Sequence, residues 1–329
     1  MRALQLTQKR QLHGVDIPEP GAPGPGEALV ATKTMGVCGT DISGFLGKMP
    51  FIDFPRILGH ELGVEVISVG TGVSHLQVGD RCCVEPYLHC GQCYSCRRGS
   101  TNCCEHMRVL GVHCDGGLRE RMVLPASKLH VANSLSYEQL ALVEMLGIGC
   151  HAVDRAKLSH ADEVLVLGAG PIGLTVIEFT LLTGARTTVC EPGETRRAFV
   201  KARYPEVTVL SEPPNDLAAQ VVFDATGNPG SMSQAFRYAH FTGRIIYVGI
   251  TKEPVVLDDP LFHRKELTLL ASRNALSRDF PRILELMTTG KLAITDWIND
   301  FATLDDAQEG FERWTKPGST VVKAVIRVS

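Results

Sequence analysis

The sequence predicts an α/β protein of two domains, one mostly β and one a doubly wound parallel sheet covered by helices. Three observations predict it. The chain has 329 residues, about two domains at roughly 150 residues each. Its N-terminal part is strand-and-turn in character, with β-branched or alternating runs at Ala28–Lys33 and Gly63–Val69 between Gly and Pro signals. From Val164 onward apolar strands alternate with helical stretches, the pattern of a parallel sheet with crossover helices.

Taken along the chain, Pro18–Glu27 (PEPGAPGPGE) is a turn-forming loop. VLVLGAGPIG, from Val164, is a buried strand running into a glycine turn. Leu174–Thr183 follows as a helix, with Gly184 where a C′ glycine belongs. Arg186–Cys190 is the next strand and Glu194–Arg203 a helix; Val221–Asp224, Arg244–Val248 and Leu267–Ala271 are further short strands, the last an edge. Only SEPPNDLAAQ separates the strand near Val207–Leu210 from Val221. That is too short for a full crossover helix, so a trimmed connection is expected. Apolar alternation returns after Leu292, and Val321–Val328 closes the chain as a strand. The most apolar window, Val164–Leu182, contains three glycines, Pro171 and Glu178, and reads as strand, turn and helix rather than a membrane span.

Hydrophobic residues at 44% and charged residues at 21% exclude a disordered chain. With Lys plus Arg at 33 and Asp plus Glu at 36, the formal charge of −3 points away from nucleic acid and from anionic membrane surfaces. The opening MRALQLTQKR has no apolar core of a secretory signal. Eleven cysteines is an odd number, and eight of them fall between Cys82 and Cys114. Together these favour a reducing, cytoplasmic setting with metal or thiolate chemistry over a disulfide framework.

The strongest motif is Cys90-x2-Cys93-x2-Cys96-x7-Cys104. Thiolates at two-residue intervals let a turn aim three sulfurs at one point, and a fourth closes a tetrahedron around Zn²⁺; such a site is full, hence structural. Cys103 is an alternative fourth ligand by spacing alone, and an iron–sulfur cluster an alternative occupant. The second motif is Gly168-Ala-Gly170-Pro171-Ile172-Gly173, placed between a strand and a helix and followed by Glu191 at the end of the next strand. This is the dinucleotide-binding fingerprint. Gly168 makes the turn, Gly170 admits the pyrophosphate, and Gly173 allows close helix–strand packing. Glu191 would accept from the ribose 2′-hydroxyl and favours NAD, whereas nearby Arg196 and Arg197 keep NADP as the alternative.

Cys38 in GVCGTD, His60-Glu61 in GHE and Glu144 in LVEML carry little singly. In order with the two motifs, and with VGDR, DGGLRE, DATGN and VVKAVI, they resemble the zinc-dependent medium-chain dehydrogenase/reductase family across essentially the whole chain. Glu144, standing where the classical alcohol dehydrogenases have a cysteine ligand, makes the resemblance strongest to the polyol, threonine and sugar-acid branch. The resemblance implies a GroES-like catalytic domain (1–148 and 293–329, its zinc lobe at about 88–105) and a Rossmann coenzyme domain (149–292).

It implies that Cys38, His60, Glu61 and Glu144 hold a catalytic zinc besides the structural one, and that Thr40 contacts the alcohol oxygen. Lys323 would lie near the cofactor phosphates and Asn274 near the nicotinamide, with Thr226 and Gly249 as further cofactor contacts. The implied activity is hydride transfer between a secondary alcohol (a polyol, sugar acid or 3-hydroxy amino acid) and NAD or NADP. Because an unpaired edge invites pairing, the Leu267–Ala271 strand is expected to join a homodimer or homotetramer. Ser43 occupies the position of a common relay histidine, and Met145 and Gly147 replace commoner Pro and Ala. The alternative reading is a non-catalytic NAD-binding module with a zinc-stabilised interaction lobe, which would have no use for the Cys38, His60 and Glu144 set.

Overall fold

In the computed structural model, which describes all 329 residues, the chain divides into two units: Met1–Glu144 with Leu276–Ser329, and Met145–Ala275.

The second unit is built on six parallel strands. Across the sheet they run Thr208–Leu210, Arg186–Cys190, Glu163–Leu167, Ala219–Asp224, Ala239–Tyr247 and Thr268–Ala271. Counted along the unit this is the doubly wound order 3-2-1-4-5-6. The central strand is apolar because both of its faces are covered; Val164, Leu165 and Val166 are all buried. Helix Pro171–Leu182 starts with proline at its first turn and with Gly170 as an extended N-cap, and Gly184 just beyond its end has φ +79°. Residues Gly173–Thr180 of this helix are all buried, which explains why it is apolar on every side.

Residues 211–218 contain no helix, as the spacing requires. The chain must move three strand positions, about 14 Å at ~4.8 Å each. An eight-residue segment reaches roughly 26 Å when extended, enough to cross but not to wind. Leu217, near the end of the segment, packs on the core formed by Leu165, Cys190 and Val222. Thr268–Ala271 lies at the sheet edge, and Leu269 is exposed there.

In the first unit a seven-stranded sheet runs Ile298–Thr303, Lys323–Arg327, Glu27–Val37, Glu61–Val69, Arg81–Val84 and Leu129–Val131, with Arg121–Pro125 also paired to Glu27–Val37. Its register places the chemistry. Gly36 pairs with Glu61, and Ala324 with Val37. The end of one strand (Cys38), the start of its neighbour (Glu61) and the start of the other neighbour (Lys323) therefore meet at one end of the sheet. No helix is long and apolar enough to cross a membrane.

Candidate functional site

The lobe after Leu88 is almost bare of regular structure, so sulfur–backbone bonds shape it. Cys90 donates its N–H to Cys104 Sγ (3.3 Å), Cys93 to Cys90 Sγ (3.4 Å), Cys96 to Cys93 Sγ (3.5 Å) and His106 to Cys104 Sγ (3.3 Å). The ligand atoms of Cys90, Cys93, Cys96 and Cys104 lie within 4.8 Å of one another, and Cys103 is exposed outside them. Cys90 and Cys104 sulfurs are 3.6 Å apart, Cys93 and Cys104 sulfurs 3.9 Å. Sulfurs at about 2.3 Å from a tetrahedral zinc have edges of about 3.8 Å, so the cradle fits that ion. Backbone N–H groups, that of Cys96 first, hold the Cys93 thiol down at about 6, whereas burial, reinforced by the neighbouring sulfurs, pushes Cys96 up to about 12. A divalent cation among these sulfurs would offset the mutual repulsion of thiolates held this close.

A second group lies at the sheet end. Cys38 caps helix Gly39–Phe45, and Asp41 in its first turn accepts the Cys38 backbone N–H at 2.9 Å. The ligand atoms of Cys38, His60 and Glu61 lie within 4.8 Å of one another. His60 Nδ1 faces Asp41 Oδ1 at 3.7 Å, beyond hydrogen-bond range. Both atoms, and Glu61 Oε1, are buried without a hydrogen-bond partner. Burial pulls the His60 imidazole down, but Asp41 and then Cys38 outweigh it, so it stands well above its ordinary pKa. Orphaned polar atoms around a thiol, an imidazole and a carboxylate are what a cation site looks like without its ion. Such a triad also leaves a coordination position open.

Two groups flank the triad. Lys323, expected near cofactor phosphates, is only 2% exposed and forms an ion pair with Glu61. Gly36 makes room for that carboxylate, since a Cβ at this position would collide with it. Glu144 lies outside the 4.8 Å group; buried in the first turn of helix Val143–Ala156, its Oε1 accepts a hydrogen bond from the Tyr87 hydroxyl. Burial raises the Glu144 carboxyl, partly countered by His60. Thr40 is half-buried two positions after Cys38 in the same helical turn.

In the other unit, Gly168 takes φ +90°, and a Cβ on Gly173 would strike the Gly168 carbonyl oxygen. Gly170 has open space where a Cβ would point, as an approaching phosphate requires. Gly173→Ala should therefore push helix from strand, at a cost of about 1–3 kcal/mol, and weaken NADH binding at least about tenfold by fluorescence titration; an unchanged Kd would contradict this packing role. Glu191 does more than await a ribose. Its two oxygens accept the N–H groups of Ala169 and Gly193, each at 2.8 Å, tying the glycine turn to the second strand. Arg197 bonds the Glu191 and Pro192 carbonyls, whereas Arg196 is exposed. Thr226 donates its hydroxyl to Asp224 (2.6 Å) and lies beside Gly168; Gly249 packs on Gly227 at the neighbouring strand end. Asn274 has φ +52° just past the edge strand.

Two features had no sequence signal: Tyr87, and a buried network in which Lys128 pairs with Glu85, and His130 Nε2 reaches Glu85 Oε2 at 3.4 Å. His89 bonds Lys128 at 3.0 Å and is not among the grouped lobe ligands.

Residues 24–134 match the family model for the alcohol dehydrogenase GroES-like domain, and residues 171–289 that for the zinc-binding dehydrogenase. L-galactonate-5-dehydrogenase of Escherichia coli (strain K12) is 37% identical over 318 residues, 92% of each chain. 2-Dehydro-3-deoxy-L-galactonate 5-dehydrogenase of Pseudoalteromonas atlantica is 31% identical over 301 residues, 88% of each. Among solved structures, 2R,3R-butanediol dehydrogenase from Bacillus subtilis superposes with a TM-score of 0.89 at 29% identity, covering 99% of each chain.

Proposed function

The chain belongs to the zinc-dependent medium-chain dehydrogenase/reductase family, in its polyol and sugar-acid branch, and from that premise we propose that it oxidises a secondary hydroxyl of a sugar acid or related polyol, with NAD preferred. The observation that carries the reading is the convergence of Cys38 with buried His60 and Glu61, whose polar atoms include ones without a hydrogen-bond partner. Two relatives whose names place the oxidation at carbon 5 of galactonate-type acids support the substrate class.

Cys38, His60 and Glu61 would hold the catalytic Zn²⁺, with Glu144 direct or through water, and Cys90, Cys93, Cys96 and Cys104 the structural one. When bound, the catalytic ion supplies Lewis acidity at the alcohol oxygen and the nicotinamide accepts the hydride. The chain's own residues do the rest. Lys323 fixes Glu61 by an ion pair, and the Asp41 carboxylate places a negative charge beside the His60 imidazole. Thr40 receives the hydroxyl proton at Oγ1 and passes it to solvent, there being a serine at position 43. The turn Gly168–Gly173, with Pro171 and Ile172 opening its helix, presents backbone N–H groups to the pyrophosphate. Glu191 disfavours a 2′-phosphate by its charge, and Thr226, Gly249 and Asn274 line the remaining cofactor positions.

The same reading takes 1–148 with 293–329 as the catalytic domain and 149–292 as the coenzyme domain. It takes the exposed Thr268–Ala271 edge as the seam of a dimer or tetramer, testable by sedimentation. A lobe that needs four free thiolates suits a reducing cytoplasm.

The test is a panel of aldonates, polyols and simple alcohols assayed with each cofactor by the absorbance of reduced nicotinamide. The expected result is turnover of a sugar-derived secondary alcohol, with NAD favoured at least about tenfold over NADP in kcat/KM. Turnover confined to simple primary alcohols, or none at all, would overturn the reading.

A further inference from the structure

Tyr87 is not part of any motif discussed above, yet it is one of the largest fully enclosed side chains of the protein. A buried phenol must spend its hydroxyl on a partner, and this one donates it to Glu144 Oε1. The ring has little freedom to do otherwise. It meets Phe280 edge-on, with centroids 6.3 Å apart, and Phe280 in turn stacks on His130 at 5.0 Å and 11°. His130 is held by Glu85, and Glu85 by Lys128. A packed chain of aromatic rings and a satisfied buried ion pair thus buttress a single hydroxyl. The carboxylate it reaches lies beside Cys38, His60 and Glu61 but outside the set whose ligand atoms fall within 4.8 Å of one another.

We infer that Tyr87 is a positioning residue that acts through Glu144: by holding Oε1 it fixes the carboxylate at the edge of the Cys38–His60–Glu61 triad and so tunes the affinity and reactivity of the metal held there. This rests on the proposed function. Lys323 restrains Glu61 by an ion pair, whereas Glu144 Oε1 is held by the Tyr87 hydroxyl. Without the phenol, one oxygen of a buried carboxylate loses its donor, and the group is free to turn toward the cation or away from it. Outer partners of this kind usually change metal affinity or activity by about 10–100-fold.

The test is a double-mutant cycle of Tyr87→Phe and Glu144→Gln on the holoenzyme, read by kcat and KM and by competition of the more weakly held zinc with a chromophoric chelator. Tyr87→Phe alone should shift kcat and the zinc Kd of that site about 10–100-fold, while the tightly held zinc of the cysteine lobe stays in place. In the Glu144→Gln background the same change should have no further effect. Site-specific 3-fluorotyrosine at position 87 keeps the ring and strengthens the donor, so it serves even if Tyr87→Phe folds poorly; its shift, too, should vanish beside Glu144→Gln. Equal losses in both backgrounds, or none with intact Glu144, would overturn the inference. If Glu144→Gln impairs the enzyme and Tyr87→Phe does not, the positioning role fails and the proposed function stands. If Cys38→Ser and Glu144→Gln both leave activity and metal content unchanged, the proposed function itself fails.

Discussion

Cys38→Ser should lower kcat by about 10³-fold or more while leaving the protein folded, because it removes a ligand from a site asked to supply several kcal/mol of charge stabilisation. The fold should survive for a local reason. Cys38 is only partly buried, and the cap of helix Gly39–Phe45 rests on its backbone N–H bonding to Asp41, which serine retains. The hydroxyl is shorter and far less acidic than the thiol, so a divalent ion loses its soft anionic partner. Kinetics, zinc content and thermal unfolding on the same preparation check this. Zinc per chain should drop by one, with the melting temperature little changed. A pure, folded variant with normal kcat would show that Cys38 is not a ligand of the reacting centre.

Cys104→Ser should do the converse. The Cys104 sulfur accepts the backbone N–H groups of Cys90 and His106 and closes the cradle on Cys90 and Cys93. The segment around it has only a four-residue helix (Tyr94–Arg97) and a short 3-10 turn (Thr101–Cys103), so its order depends on the ion rather than on a core. Loss of one ligand should cost roughly 3–5 kcal/mol, lowering the apparent Tm by about 10 °C for a unit of this size. The zinc lost should be the tightly held one, and residual activity should track the folded fraction. Differential scanning calorimetry with zinc analysis checks this; an unchanged Tm and zinc content would argue against a structural site.

How much of this was legible in the sequence depended on how local each feature is. The cysteine lobe and the glycine turn lie within fifteen and six consecutive residues, and their spacing alone states their geometry. Cys38 and Glu61 are far apart in sequence, and the register pairing Gly36 with Glu61 is what joins them. No spacing rule contains that register; only the family resemblance pointed to the pair. The same register explains a misjudged boundary. The strand expected over Ala28–Lys33 runs from Glu27 to Val37, and Gly36, which weakens the strand pattern, is there to admit the Glu61 carboxylate. Only the family resemblance singled out Lys323, near the cofactor phosphates; that it is enclosed as the first residue of an inner strand, with Glu61 as the charge within reach, depends on strand order. Tyr87 and the Glu85–Lys128–His130 network were invisible because each contact spans forty or more residues and none has a periodic signature. The trimmed segment at 211–218 was plain from length alone, since counting residues against strand spacing needs no tertiary information.

The central claim is that one chain holds a closed four-sulfur zinc and an open zinc set on Cys38 and His60. Anomalous diffraction at the zinc edge from crystals of the metal-replete protein tests it most directly. Two peaks per chain are expected, one inside Cys90, Cys93, Cys96 and Cys104 and one among Cys38, His60 and Glu61. A single peak in the cysteine lobe, with the Cys38–His60 position empty at full zinc loading, would contradict it.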